Sequence, residues 1–426
     1  MADPRPGGAS SPRLLPAPNH RMLVVLPGIA GPMDAFEFFS VQRIVFGRGS
    51  FARMGELAAP LGHTAMVVTN AGTPGDGGVV DRLISELSAV GIATHCYRQR
   101  GEPRVEDVER ALEIARRQAC DVVIGLGGGS AIDGAKAVAG LLTNGGGPLD
   151  YMEVIGEGRK LTAPSAPWIA VPTTAGTGAE VTRNAVLGCP EKRFKASLRS
   201  EHLMARIALV DPELGMAVRP EVTARTGMDA LCQLIESYTS RKAQPMTDAL
   251  AREGIALAAR ALPRAYRDGS DVEAREAMAM AALLSGITLT NAGLGAVHGF
   301  AAPAGANYPI PHGSLCAVLL PHVVSANVAA LRAESENHPW LKKYEAIGRA
   351  LTGDETLRGP AALDAAVNAL AELVRSLDIP GLGAYEFQPE RFPELVALAR
   401  QSSSMRYNPV VLSDEALLDI LHKAWS

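Results

Sequence analysis

Glycine placement constrains this chain more than any other feature of it. Asp121-Val-Val-Ile-Gly-Leu-Gly-Gly-Gly-Ser130 is an apolar run of strand length that ends in consecutive glycines and a serine, and Ala131-Ile-Asp-Gly-Ala-Lys136 then opens a helical pattern. Residues without Cβ let backbone N–H groups approach an anion closely. A helix that starts directly afterwards aims its unpaired N–H groups and the positive end of its dipole at the same point. Ser130 adds a hydroxyl, and Asp133 can cap or orient the first turn. The chemical reading is a diphosphate cradle; the plainer one is a strand-to-helix turn that needs flexible glycine. Gly125, Gly127 and Ser130 give only a truncated G-x-G-x-x-G. The acidic residue expected roughly 20 residues further on falls in Gly145-Gly-Gly-Pro-Leu-Asp150, a loop-like stretch. A ribose bound at this turn must be read from elsewhere in the chain.

Around the turn, strand-length apolar runs alternate with helical spacing. The pattern predicts strands at 38–46, 65–69, 93–98, 121–126 and 168–172. Helices are expected after an N-cap at Ser50 and over 79–90, 105–118 and 131–142. Such alternation means a parallel sheet flanked by helices. The run Trp168-Ile-Ala-Val-Pro172 leads into a second small-residue loop carrying Thr173, Thr174 and Thr177, whose hydroxyls can bond phosphates or an amide. Two such loops at strand ends of one sheet favour a cofactor, because ligands sit at the carboxyl ends of open α/β sheets. After about residue 217 the strand signal vanishes, and segments from Arg219 to a final Ser413-capped helix read at helical spacing. A chain of 426 residues is long for one core. The expected fold class is therefore a Rossmann-like α/β domain over 35–217 followed by an all-helical domain over 218–426. Residues 1–34, rich in Pro, Gly, Ser and Ala, read as a disordered extension.

Net charge of −4 gives no reason to expect nucleic acid or an anionic membrane as partner. The five cysteines are odd in number and scattered without C-x-x-C spacing, which suits free thiols in a reducing cytoplasm. No apolar run approaches the ~20 residues of a membrane span. A homo-oligomer such as a dimer is compatible with all of this.

The polar residues of the helical half stand out against apolar surroundings. Asp229 and, on the same face four residues on, Gln233 lie in Thr226-Gly-Met-Asp-Ala-Leu-Cys-Gln-Leu-Ile-Glu236. His298 lies in Gly293-Leu-Gly-Ala-Val-His-Gly299 and His312 in Pro309-Ile-Pro-His-Gly313. Any one of them alone is more often a buried structural group than a ligand. Together, one carboxylate and two imidazoles form a set that suits Fe(II), whereas an all-histidine or cysteine-containing set points more firmly at zinc.

The stretches Gly127-Gly-Gly-Ser130, Pro172-Thr-Thr-Ala-Gly-Thr-Gly-Ala-Glu-Val-Thr182, Gly227-Met-Asp-Ala230 and Gly293-Leu-Gly-Ala-Val-His298, with Pro311-His-Gly313, resemble the iron-containing (group III) alcohol dehydrogenases. They match in order from about Phe38 to at least Asn327. The resemblance implies an oxidoreductase that uses NAD or NADP to interconvert a small alcohol and its aldehyde or ketone. A divalent metal, Fe(II) first and Zn(II) second, would polarise the substrate oxygen. It carries the metal ligands and catalytic centre onto Asp229, His298 and His312. Cofactor contacts fall on Gly127, Gly128, Gly129, Ser130, Asp133, Thr173, Thr174, Thr177 and Lys195. Three positions depart from the family pattern. Gln233 stands where a fourth, histidine ligand is usual, Ala302 where another histidine is frequent, and Asn70 where NAD-using members have an aspartate facing the ribose. A neutral Asn70 implies use of both nucleotides. The rival readings are a metal-independent reductase of maleylacetate type and a non-redox lyase resembling dehydroquinate synthase. Ala296 to Pro311 contains no Lys or Arg, which argues for a small, neutral substrate.

Overall fold

The computed structural model describes residues 35–70, 78–192 and 194–425. The extension 1–34 and residues 71–77 of the loop after Asn70 lie outside them. Phe38–Ser426 forms one compact unit.

Eight strands are found among the described residues: β1 (Arg43–Phe46), β2 (Thr64–Asn70), β3 (Ala93–Gln99), β4 (Val122–Gly127), β5 (Trp168–Pro172), β6 (Asn184–Cys189), β7 (Phe194–Arg199) and β8 (Ile207–Val210). Six form a sheet in the order β1-β8-β5-β4-β2-β3, every pair parallel. β6 and β7 make a separate antiparallel hairpin. The parallel sheet follows from the residues: β2 and β4 are apolar along their length because helices cover both faces. Met66 and Val68 pack with helices Val105–Arg117 and Gly129–Asn144. Ala65 and Val67 face the other way, onto helix Val79–Ala89 and Phe51. The chain leaves β2 for β3 in one direction and β4 for β5 in the other, so the order reverses between β2 and β4. That is where an open α/β sheet binds its ligand.

Two local expectations differ. β1 is shorter than 38–46, and Ser50 does not cap the helix after it. Gly49, with φ of 71°, precedes Ser50, and Asp211 from the end of β8 accepts the Phe51 N–H at 3.0 Å instead. A long-range carboxylate thus replaces the local cap.

Among the described residues no strand follows Val210; helices run from Pro220–Thr239 to Asp414–Trp425. Ser413 Oγ accepts the Ala416 N–H at 3.2 Å, as the cap reading expects. Helix His312–Glu334 is long and apolar enough to cross a bilayer, contrary to the expectation that no apolar run approaches that length. However, 72 % of its most apolar window is buried inside the protein. It is the core helix of this half, packed on Pro220–Thr239.

Glycines join the sheet half to the helical half. Gly178 (φ 60°) in the loop after β5 lies against Gly286 of helix Val272–Ala292 so closely that a Cβ on Gly286 would sit 2.1 Å from the Gly178 carbonyl oxygen. Thr290 Oγ1 donates to Val181 O at 3.3 Å beside it. Gly286→Ala should force the two main chains apart, lower the midpoint of thermal unfolding and cost roughly 1–3 kcal/mol. An unchanged melting curve would show that the contact gives freely.

Candidate functional site

The glycine turn is built as expected, with the helix starting two residues earlier. β4 runs through Gly127, and Gly129 and Ser130 already form the first turn of Gly129–Asn144. Their N–H groups have no acceptor within the helix. Gly127 has φ of 147°; a Cβ there would meet Asn70 Oδ1 at 2.5 Å, and one on Gly129 would meet Thr177 Oγ1 at 2.6 Å. Register places the strand ends together, with Gly127 opposite Pro172 and Leu126 opposite Thr69. Asn70, the glycine turn and the Thr173–Thr177 loop therefore surround one point.

Several predicted contacts also hold the turn itself. Asn70 Oδ1 accepts the Gly128 N–H at 3.1 Å, leaving its amide nitrogen as the group it can offer a ribose. Asp133 does not cap the first turn. It lies 3.2 Å from Lys136 Nζ and accepts the Val186 N–H at 3.1 Å, tying the helix to β6. Lys136, fully buried, also donates to Thr182 Oγ1 and Asn184 O at 2.7 Å each. Lys195 forms an ion pair with Glu102 and reaches Gly305 on the His298 helix, where a Cβ would lie 3.2 Å from its Nζ. The stretch around the histidines lacks basic residues of its own, but β7 brings one to it.

In the helical half three helices deliver the expected set. Asp229 projects from Pro220–Thr239, His298 from Ala296–Asn307 and His312 from the first residue of His312–Glu334. His298 Nε2 and His312 Nε2 lie 3.3 and 3.4 Å from Asp229 Oδ1, an oxygen that is buried and makes no hydrogen bond among the described residues. Glycines permit this convergence. A Cβ on Gly313 would sit 2.0 Å from Arg225 O, so only glycine lets the His312 helix come that near. Asp229 and His298 are buried at 2 and 8 % exposure, whereas the His312 side chain is 41 % exposed and marks the open side.

Two participants escaped the sequence reading. Glu236, two turns beyond Asp229, holds His298 Nδ1 at 2.6 Å and accepts the Val297 N–H at 2.7 Å. It fixes the ring so that Nε2 faces Asp229. Cys316 Sγ lies 3.7 Å from the Nε2 atoms of both His298 and His312. Its signal was present in the sequence, since His312 and Cys316 are four apart on one helix face. Gln233 is buried beside Asp229, but its Oε1 accepts a hydrogen bond from Ser285 Oγ at 3.0 Å. Ala302, where a further histidine was weighed, is exposed on the same helix as His298.

Electrostatics follow from this packing. Burial works to raise the Asp229 carboxyl, but His312 and His298 outweigh it and hold it well below the usual carboxylate range. Cys316 foremost, then Asp229, pushes His312 up to about 10 against its burial. The donor atoms of Asp229, His298, His312 and Cys316 all lie within 4.8 Å of one another. An unbonded buried carboxylate oxygen, two imidazole nitrogens and a sulfur turned to one point fit a divalent cation.

Comparison with known proteins gives consistent matches. The family model for iron-containing alcohol dehydrogenase matches residues 41–212, and that for the Fe-containing alcohol dehydrogenase family, C-terminal, matches 223–425. The chain is 34% identical over 388 residues to a choline dehydrogenase of Bacillus subtilis (strain 168), covering 90% of this chain and 94% of that one. It is 35% identical over 401 residues to a 1,3-propanediol dehydrogenase of Klebsiella pneumoniae, covering 92% and 99%. Among solved structures, a 1,3-propanediol oxidoreductase superposes with TM-score 0.85 at 33% identity over 92% of this chain and 100% of that one. A sulfoacetaldehyde reductase from Bifidobacterium kashiwanohense in complex with NAD+ gives 0.81 at 29%, over 92% and 99%.

The turn and its surroundings generate two predictions. Gly128 has φ of −72°, so a side chain there strains no backbone and meets Thr174 Oγ1 at 3.2 Å. Gly128→Val should leave the fold intact while nucleotide affinity falls roughly 100-fold, about 2.8 kcal/mol, in a fluorescence titration. Glu180, buried near Lys136, is raised by burial from 4.5 to about 7. The folded carboxyl holds its proton more tightly than the unfolded one. Its contribution to stability is full below pH 4.5 and is lost as pH rises through about 7. Denaturant titrations should therefore show Glu180→Gln gaining on the parent protein by up to about 3 kcal/mol across that window.

Proposed function

The chain belongs to the iron-containing alcohol dehydrogenase family, and from that premise we propose how its residues divide the work. It is an NAD(P)-dependent enzyme that interconverts an alcohol with its aldehyde or ketone by hydride transfer. We assign nucleotide binding to a domain over 35–217 and the metal to one over 218–426. The β4 turn, Gly127 to Ser130, takes the diphosphate on the N–H groups of Gly129 and Ser130 at the helix start, the Gly128 N–H being held by Asn70. Asn70 and Lys195 stand toward the riboses, and Thr173, Thr174 and Thr177 position the nicotinamide end. Asp133 acts through the helix it fixes to β6.

Asp229, His298 and His312 would hold the metal, with Gln233 a weak or absent fourth ligand. The observation that carries this assignment is the buried Asp229 Oδ1, which has no hydrogen bond and stands between two imidazole nitrogens. A bound divalent ion would polarise the substrate oxygen as a Lewis acid. Glu236 keeps the His298 proton on Nδ1, so that Nε2 offers its lone pair. Burial of Asp229 and His298 keeps water from competing on the inner side, and the exposed His312 edge admits the substrate. Small uncharged alcohols suit an approach beside Lys195, a cation already answered by Glu102. The five unpaired cysteines, four of them buried, fit a reducing cytoplasm.

Chelator-stripped protein should lose turnover in an aldehyde-reduction assay with NADH or NADPH. Anaerobic return of Fe(II), Zn(II) or Mn(II) should restore it. His312→Ala should abolish both metal content and turnover. Full activity of stripped protein, unchanged by any metal, would instead establish a metal-independent reductase on the same fold.

A further inference from the structure

We propose that Cys316 is the fourth protein ligand of the metal, its sulfur taking the place that Gln233 leaves. The inference rests on the metal reading above and concerns which atoms complete the site. An ion with tetrahedral bonds of about 2.1 Å to nitrogen and oxygen and about 2.3 Å to sulfur spaces its donors roughly 3.4 Å apart for N to O and roughly 3.6 Å for N to S. The structure shows 3.3 and 3.4 Å from Asp229 Oδ1 to the two imidazole nitrogens. It shows 3.7 Å from Cys316 Sγ to each of the same nitrogens. Four edges of one tetrahedron are thus present among four side chains on three helices. An octahedral ion would draw nitrogen and oxygen in to roughly 3.0 Å.

The alternatives are otherwise engaged. Gln233 Oε1 is held by Ser285. Glu236 and Cys232 both stand on the Nδ1 side of His298, at 2.6 and 3.9 Å, away from the nitrogen that faces Asp229. Cys316 is buried and one helical turn from His312, so the two reach the same point from one element. Asp229 Oδ1, buried and unbonded, is aimed into that point independently of the sulfur. A carboxylate, two imidazoles and a thiolate at tetrahedral spacing form a softer set than the one usual in this family. It favours Zn(II) and Co(II) over Fe(II).

Cobalt reports the sulfur directly. The purified full-length chain, stripped and titrated anaerobically with Co(II), should develop visible d–d absorption together with a near-ultraviolet sulfur-to-cobalt charge-transfer band. Cys316→Ser should keep the visible absorption, lose the near-ultraviolet band and bind Zn(II) at least roughly tenfold more weakly in competition with a chromophoric chelator. Cys232→Ser should keep both bands. Visible absorption without the charge-transfer band in the parent chain would overturn the ligand role of Cys316 and leave the metal reading standing. Absence of any cobalt spectrum, with no Zn(II) retained, would overturn both.

Discussion

A carboxylate inside a protein is costly unless charge or hydrogen bonds answer it, and Asp229 meets that cost in the interior of a helix. Its Oδ1 has no hydrogen bond, and the groups turned toward it are two imidazoles and, through them, a thiol. Satisfying that oxygen requires three helices to converge, and convergence requires backbones to touch. Gly313 against Arg225 O supplies the approach on one side. On the other, Gly295 leaves room for Glu236 and Asn408, whose oxygens a Cβ would meet at 2.9 and 3.0 Å. The glycines beside the histidines are thus packing requirements set by the charge they surround.

The glycine turn after β4 answers the same problem with the opposite sign. Unpaired N–H groups at a helix start carry partial positive charge, and the sheet order reverses beside them so that an anion can enter. A continuous set of contacts links the two centres. Ser285 lies 3.3 Å from Gly176 O in the loop after β5 and 3.0 Å from Gln233 Oε1 in the Asp229 helix. A residue that departs from the family's ligand pattern therefore serves as a strut between the halves. The buried amide is thus answered by a hydrogen bond within the fold.

Much of this was legible in the residues. The alternation of short apolar runs with helical spacing yields the parallel sheet because both periodicities are local. The disappearance of strand signal after 217 yields the helical half for the same reason. Asp229, His298 and His312 were legible as a group through the family motifs. What escaped depends on pairings distant in sequence: the Asp211 carboxylate that caps Phe51 from 160 residues away, and Glu236 on His298 across 62. Local capping is the common use of a residue such as Asp133, whereas its bond to Val186 requires a hairpin 53 residues further along the chain. Cys316 stands one helical turn from His312 in the sequence, but neither the number of cysteines nor C-x-x-C spacing marks a single thiol that meets two imidazoles only in the fold.

The contact of Gly178 with Gly286 has a bearing on how such enzymes diversify. Because main chains meet there, the spacing between the loop after β5 and helix Val272–Ala292 is a property of the backbone, widened only by a side chain added at the contact itself and untouched by exchanges elsewhere. Substitutions on an exposed helix face, such as that of Ala302 one turn from His298, can then change the surface beside the histidines while that spacing is inherited unchanged. Drift in that surface and constancy of the spacing become separable, residue by residue.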